Sequence, residues 1–247
     1  EALRRYTQLL RAKLAGWPVY HLPGNHDVTP GPAGGMSDWH HIVGESLPGG
    51  TAAGGSTYRE VLQPGWQILL LDSMDGLTLD RGGGQLGEAQ IRWLEAKLGE
   101  SASAGRSVIL LTHQLLVEPR DVDDNIVGWL EGEVDMIADR SQVLSVLGRF
   151  DHVRLSLHGH VHANSITTRN GIVYATIASP LEYPMQWREV RVSKCQVELR
   201  AHTLAVPEAS RRSRELETRL GRNDAKKGSD LANHVVIEIC GAADTER

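Results

Sequence analysis

Val153-Arg154-Leu155-Ser156-Leu157-His158-Gly159-His160-Val161-His162 is the stretch on which the fold turns, because an apolar, strand-like run breaks at a glycine and opens directly into a His-x-His pair. Two other places repeat the pattern. Val108-Ile109-Leu110-Leu111 is a continuous apolar run, the signature of a strand buried on both faces, and Thr112-His113-Gln114 follows it. Trp17-Pro18-Val19-Tyr20-His21-Leu22 is a short β-type run that stops at Pro23 and gives way to Gly24-Asn25-His26-Asp27. Strands alternating with helices imply an α/β domain with a largely parallel sheet, and such sheets bind ligands beyond the carboxyl ends of their strands. All three His-bearing motifs are expected at those ends.

The helices come from periodicity. Leu3, Tyr6, Leu10 and Leu14 give an amphipathic helix ending at Gly16, Gln85 to Leu98 reads as a second, and Ser141 to Leu147 as a third. Tyr58–Leu62 and Trp66–Asp72 pair across Pro64-Gly65, and Ser165–Thr168 and Ile172–Ile177 form a hairpin at Asn170-Gly171. Val190–Val192 and Val197–Leu204 add another strand pair. Residues 28–56, rich in Gly, Pro, Ser and Thr, read as a long functional loop. Gly82-Gly83-Gly84 lacks the Lys-Ser/Thr of a phosphate-cradling loop and reads as a turn into the next helix. From Pro207 the composition shifts to Arg, Lys, Glu and Ser, which divides the chain into a domain over 1–206 and a charged extension over 207–247. His234–Cys240 is a further β-type run that the sequence does not place.

Composition sets outer limits. A chain of 247 residues holds one substantial domain, and a net charge of −5 gives no general pull toward nucleic acid or an anionic membrane. Cys195 and Cys240 are far apart and match no metal spacing, which argues against a disulfide framework and fits a reducing, cytoplasmic setting. No apolar run reaches the roughly 18 residues of a membrane helix. Glu1 opens the chain inside a helical pattern, and it is read as an N-terminally shortened segment.

A lone strand-end histidine is more often a loop or core group than a ligand, but two histidines one residue apart behind a glycine have few structural reasons to exist. Imidazoles with an amide or carboxylate oxygen suit Zn, Fe or Mn better than Ca or Mg. The other histidines, among them His21, His158 and His202, keep the structural reading.

Taken in order, Gly24-Asn25-His26-Asp27, the strand ending at His113 and Gly159-His160-Val161-His162 resemble the calcineurin-like metallophosphoesterase superfamily. Within it, the chain is similar to bacterial class III cyclic-nucleotide phosphodiesterases. Leu71-Asp72-Ser73, Gly84-Gln85-Leu86 and Gln90 to Leu94 strengthen the likeness, which covers about residues 1–200.

The resemblance implies a four-layer α/β/β/α sandwich lacking its first strands. It implies a phosphodiesterase using two divalent or trivalent ions (Fe, Mn or Zn), with Asn25, His113 and His160 on one and His162 on the other. His26 would protonate the leaving group, with Asp27 orienting it. The substrate would be a small phosphoester, a nucleotide among the candidates, with no nucleic-acid or membrane partner; the oligomeric state stays open, a dimer included. A phosphomonoesterase or nucleotidase, and a scaffold that keeps the fold without the chemistry, are the alternatives.

There are departures from the family pattern. No aspartate precedes Asp27, where the family's Asp-x-His and Gly-Asp ligands belong, so the segment is expected to be impaired, holding one ion weakly and a second hardly at all. Gln114-Leu115 stands where relatives often have His and Pro, so substrate contacts there are expected to differ. The acidic segment 117–139 would lie over the site, with Trp129 read as packing rather than base-stacking.

Overall fold

The computed structural model describes residues 2–28, 39–44, 58–74, 84–120, 136–219 and 224–240. The centre is a six-stranded sheet in the order β1-β2-β3-β4-β6-β5: β1 (Arg59–Gln63), β2 (Trp66–Leu70), β3 (Ser107–Thr112), β4 (Val153–His158), β5 (Ser165–Arg169) and β6 (Ile172–Thr176). Strands β2, β3, β4 and β6 run parallel, and β1 and β5 close the edges antiparallel. The β5–β6 hairpin turns at Asn170 (φ 51°) and Gly171 (φ 77°), a left-handed pair that matches the twist of the flanking strands.

Alternation along the strands divides the core between two faces. Val108 and Leu110 of β3, Leu69 of β2 and Tyr174 of β6 face helices α2 (Gly87–Ser103) and α3 (Arg140–Leu147), meeting Leu94, Leu98, Val143 and Leu147. Ile109, Leu155, Leu157 and Val173 point the other way, onto Val197 and Leu199 of a second, three-stranded antiparallel sheet. That sheet is β7 (Gln186–Val192), β8 (Gln196–Thr203) and β9 (His234–Glu238). At about 1.5–3 kcal/mol per fully buried large aliphatic side chain, these two layers supply the main cohesion of the domain. The outer face of the second sheet is polar, with Glu198 between Arg200 and His234 and Glu189 against His202. Helix, sheet and sheet are thus the three layers carried by the described residues.

One side chain joins the helical layer to the sheet. The Asp139 carboxylate accepts from the backbone N–H groups of Leu86 (3.1 Å) and Gly87 (2.8 Å), and Asp139 is also the N-cap residue of α3. A carboxylate beside a helix start meets otherwise orphaned donors and the favourable end of the helix dipole. Helix α1 (Ala2–Lys13) puts Leu3 and Leu10 against Val28, Trp39, Val43 and Met74, a separate small cluster that includes part of the π-helical turn His40–Gly44.

Several expectations are corrected. Trp17–Leu22 joins neither sheet: Pro18 and Pro23 remove two ladder donors, and Trp17 is 71% exposed. Cys195 and Cys240 are bonded to each other, because β9 runs beside the β7–β8 turn and Ile239 N–H donates to Cys195 C=O at 2.8 Å. The sequence-based case for a reducing compartment therefore loses its footing. The β-type run that the sequence left unplaced is β9, which completes the second sheet, and in the charged extension Pro207–Arg219 forms helix α4 and Asp230–Asn233 the short α5. Among the described residues no helix is long and apolar enough to cross a membrane. Gly82, Gly83 and Trp129, with most of the acidic segment and of the long Gly/Pro-rich loop, lie outside the described residues.

Candidate metal centre at the strand ends

Thr112 and His158, the last residues of β3 and β4, are register partners, and Gly159 N–H donates to His113 C=O at 3.1 Å. The two following loops therefore leave the sheet side by side. His160 (φ 61°) and His162 (φ 51°) are both left-handed, while Val161 between them is buried against Leu115 and Met136. Left-handed backbone costs a non-glycine residue on the order of 1–3 kcal/mol, and such strain persists where the surroundings fix a functional geometry.

Gly24-Asn25-His26-Asp27 closes a tight turn over the same spot. Asp27 N–H donates to Gly24 C=O (3.0 Å), and Gly24 N–H donates back to Asp27 Oδ2 (2.9 Å). Asp27 thus binds its own turn, a different task from orienting His26. Gly24 is required by close approach: a Cβ there would lie 2.7 Å from Cε1 of the His113 ring.

His113 Nε2 lies 2.9 Å from Asn25 Oδ1, to which only an Nε2–H can donate, and 3.2 Å from His160 Nδ1, so three atoms of metal-ligating type converge on one point. Burial, reinforced by His160, His162 and His26, drives the His113 pKa down to about 3. At neutral pH the ring is uncharged, the form in which imidazole ligates metals. Among the described residues no three His, Cys, Asp or Glu side chains come together for an ion; the amide oxygen of Asn25 completes this set. Two imidazoles and an amide oxygen, packed under Gly24, fit a borderline-soft divalent metal.

A cavity of about 360 Å³ opens in front of these groups, lined by Asn25, His26, His113 and His162. Its far wall is Ser179, Leu181 and Glu182, which the sequence reading missed. His162 Nδ1 lies 2.6 Å from Glu182 Oε1, and Lys226 Nζ donates to the same oxygen at 2.7 Å. The hydrogen bond from His162, with help from Lys226 and against the opposing effect of burial, holds the Glu182 carboxyl down to about 2. Nothing local in the sequence marks Glu182 or Lys226, since each is an ordinary charged residue until the chain folds.

Neighbouring polar residues turn out to be structural. His158 is enclosed: Nδ1 lies 3.0 Å from Thr112 Oγ1 and Gln114 C=O, Nε2 lies 3.0 Å from Ser156 Oγ, and Tyr174 stacks on the ring. Gln114 does not meet the cavity; it is fully buried, bonded to Ser73 Oγ and facing Met74. The Leu71-Asp72-Ser73 stretch is fixed by Gln90, whose amide accepts from Asp72 N–H and donates to Asp72 C=O, both at 2.8 Å.

The same architecture occurs in a dimetal phosphatase from Danio rerio, superimposing with a TM-score of 0.67 at 15% identity over 97% of this chain and 78% of that one. The likeness to that phosphatase is one of fold. In sequence the chain is similar to bacterial cyclic-nucleotide phosphodiesterases. It is 31% identical over 155 residues to the 3',5'-cyclic adenosine monophosphate phosphodiesterase CpdA of Escherichia coli K12, covering 62% of this chain and 46% of that protein. The Haemophilus influenzae CpdA is 28% identical over 163 residues, covering 66% and 49%, and a probable cyclic nucleotide phosphodiesterase of Synechococcus is 27% identical over 134 residues, covering 52% and 47%. The chain spans about half the length of the curated relatives it matches. No protein-family model matches it.

Proposed function

We propose that the chain carries the metal site of a metal-dependent phosphodiesterase, with a cyclic nucleotide as the substrate class. The observation that carries this reading is the convergence of Asn25 Oδ1, His113 Nε2 and His160 Nδ1, the two histidines just past the ends of parallel strands β3 and β4, beside a cavity of about 360 Å³ lined by Asn25 and His113. The names of the bacterial relatives point to the same chemistry.

In this reading Asn25, His113 and His160 hold the first ion and His162 contributes to the second. When bound, the metals polarise the phosphoryl oxygens and acidify a water for in-line attack. The chain does the rest. His113 is kept neutral by burial, so its ring offers a lone pair rather than a repelling charge. His26, exposed at the cavity and carried on the turn that Asp27 closes, is placed to pass an imidazole proton to the departing ester oxygen. Leu181 supplies an apolar rim against which a base or sugar can sit.

The test is hydrolysis of 3',5'-cyclic AMP, bis-p-nitrophenyl phosphate and p-nitrophenyl phosphate by the purified chain, with Mn²⁺ added and with chelator. Slow metal-dependent turnover of the two diesters, in preference to the monoester, is expected of this chain. A monoester preference would move the reading to a phosphatase or nucleotidase, and metal binding without hydrolysis of any of the three would move it to a scaffold.

A further inference from the structure

We propose that Glu182, backed by Lys226, is a positioning residue for His162: its carboxylate fixes the ring as the Nδ1–H tautomer and makes Nε2 the nitrogen offered to a metal. The tautomer follows from geometry, and the ligand role rests on the phosphodiesterase reading above. An ionised carboxylate can only accept, so the 2.6 Å contact between His162 Nδ1 and Glu182 Oε1 requires the proton on Nδ1. A neutral imidazole then keeps its lone pair on Nε2 alone. His160 is set the other way, with Nδ1 turned to His113. The two rings of one His-x-His motif thus present opposite nitrogens.

Lys226 is what keeps this a positioning device rather than a plain ion pair. Its side chain is only 4% exposed, and its Nζ sits 2.7 Å from the same Glu182 oxygen that His162 approaches. A buried ammonium is costly unless paired, and here it already supplies the carboxylate's countercharge. The imidazole is therefore not needed as a cation. Carboxylates that accept the second N–H of a ligating histidine set ring orientation and ligand basicity in metal sites generally.

The three side chains share one frame although they come from distant segments. Asn164, two residues past His162, donates through N–H to Lys226 C=O (3.0 Å) and through Nδ2 to Gln186 Oε1 (2.6 Å). Gly228, at φ 70°, presses so close that a Cβ would lie 2.4 Å from Asn164 C=O. Glu182 is held by its own loop, where Met185 N–H donates to Glu182 C=O (2.6 Å) and Tyr183 N–H to Ser213 Oγ of α4 (2.7 Å). The region beyond Pro207 therefore reaches the candidate site at Ser213 and Lys226, and at Gly228 against Asn164.

The experiment is nitrogen-15 NMR of the histidine rings in the metal-free chain at pH 8, followed by Mn²⁺ titration calorimetry, on wild type, Glu182→Leu and Lys226→Met. Wild-type His162 is expected to carry its proton on Nδ1, and Glu182→Leu to move it to Nε2 while weakening Mn²⁺ held through His162 by about 10–100-fold. Lys226→Met is expected to keep the Nδ1–H tautomer, because the carboxylate remains. A proton on Nε2 in the wild type overturns the proposal even if Glu182→Leu fails to fold, as does an Nδ1–H ring that persists in Glu182→Leu or a switch in Lys226→Met as large as in Glu182→Leu. An Nδ1–H wild type that binds no Mn²⁺ overturns the phosphodiesterase reading and the ligand role with it, while leaving the tautomer assignment standing.

Discussion

The two ends of the candidate centre are built on opposite principles. Around His113 an imidazole kept uncharged by burial meets other groups of metal-ligating type, with Nε2 near both Asn25 Oδ1 and His160 Nδ1. Around His162 the charges are already matched, with Glu182 between an imidazole and a buried ammonium. A cluster of lone pairs gains most from an added cation, whereas a closed ion-pair network gains least. The first end therefore looks like a place that wants a metal, and the second like a prop that holds one ligand ready. Mn²⁺ should accordingly fill the first position at lower concentration than the second.

The largest effect should come from emptying the first end. His113→Ala removes the ring on which the other donors converge, and diesterase turnover should fall by more than about 100-fold, the upper range for losing a mere outer-shell partner. Steady-state rates against Mn²⁺ concentration would show it; turnover within tenfold of wild type would break the contrast between the two ends. A subtler attack on the same end is Gly24→Ala. Its Cβ would sit 2.7 Å from His113 Cε1 and 2.9 Å from Nδ1, and the ring is itself confined. Overpacking of this kind costs about 2–3 kcal/mol, read by urea unfolding, and the displaced ring should also weaken Mn²⁺ binding. An unchanged unfolding midpoint would mean that the glycine is not needed there.

How far the site could be read from the sequence follows the same division. Asn25, His26, His113, His160 and His162 each sit just after an apolar run, so strand periodicity and a glycine announced them. The parallel core strands and helices α2 and α3 were legible for the same reason, since their apolar spacing is local. Glu182, Lys226 and the Cys195–Cys240 bond were not, because Glu182 and Lys226 meet His162 from segments distant in sequence and the bond needs β9 to run beside the β7–β8 turn. Trp17–Leu22 misled in the reverse direction. Its residues have strand propensity, but propensity without a ladder partner makes no strand. Gln114 stands beside His113 in sequence, yet its side chain turns into the core, which no local pattern announces.

His158 and His160, two residues apart, give the smallest and cleanest test of the difference between a core histidine and a site histidine. His158 is buried, hydrogen-bonded through both nitrogens and stacked on Tyr174, and burial lowers its pKa to about 4, partly offset by the Gln114 carbonyl. Its folded pKa lies below the unfolded value of about 6.5, so between these values the unfolded chain binds the extra proton. Stability should therefore be fully present above pH 6.5 and decline as the pH falls toward 4. The share owed to His158 is about 2 kcal/mol between pH 7 and pH 5. His113, whose pKa is lowered to about 3, adds a limb in the same direction. Urea unfolding at the two pH values should show a smaller drop for His158→Gln than for wild type, although the variant is less stable at pH 7. Addition of Mn²⁺ should deepen the His113 limb at its acid end, because a metal that competes with the proton lowers the folded pKa further, and leave the His158 limb unchanged. If the metal altered both limbs equally, the two histidines would belong to one coupled site, and the boundary drawn here between core and centre would be in the wrong place.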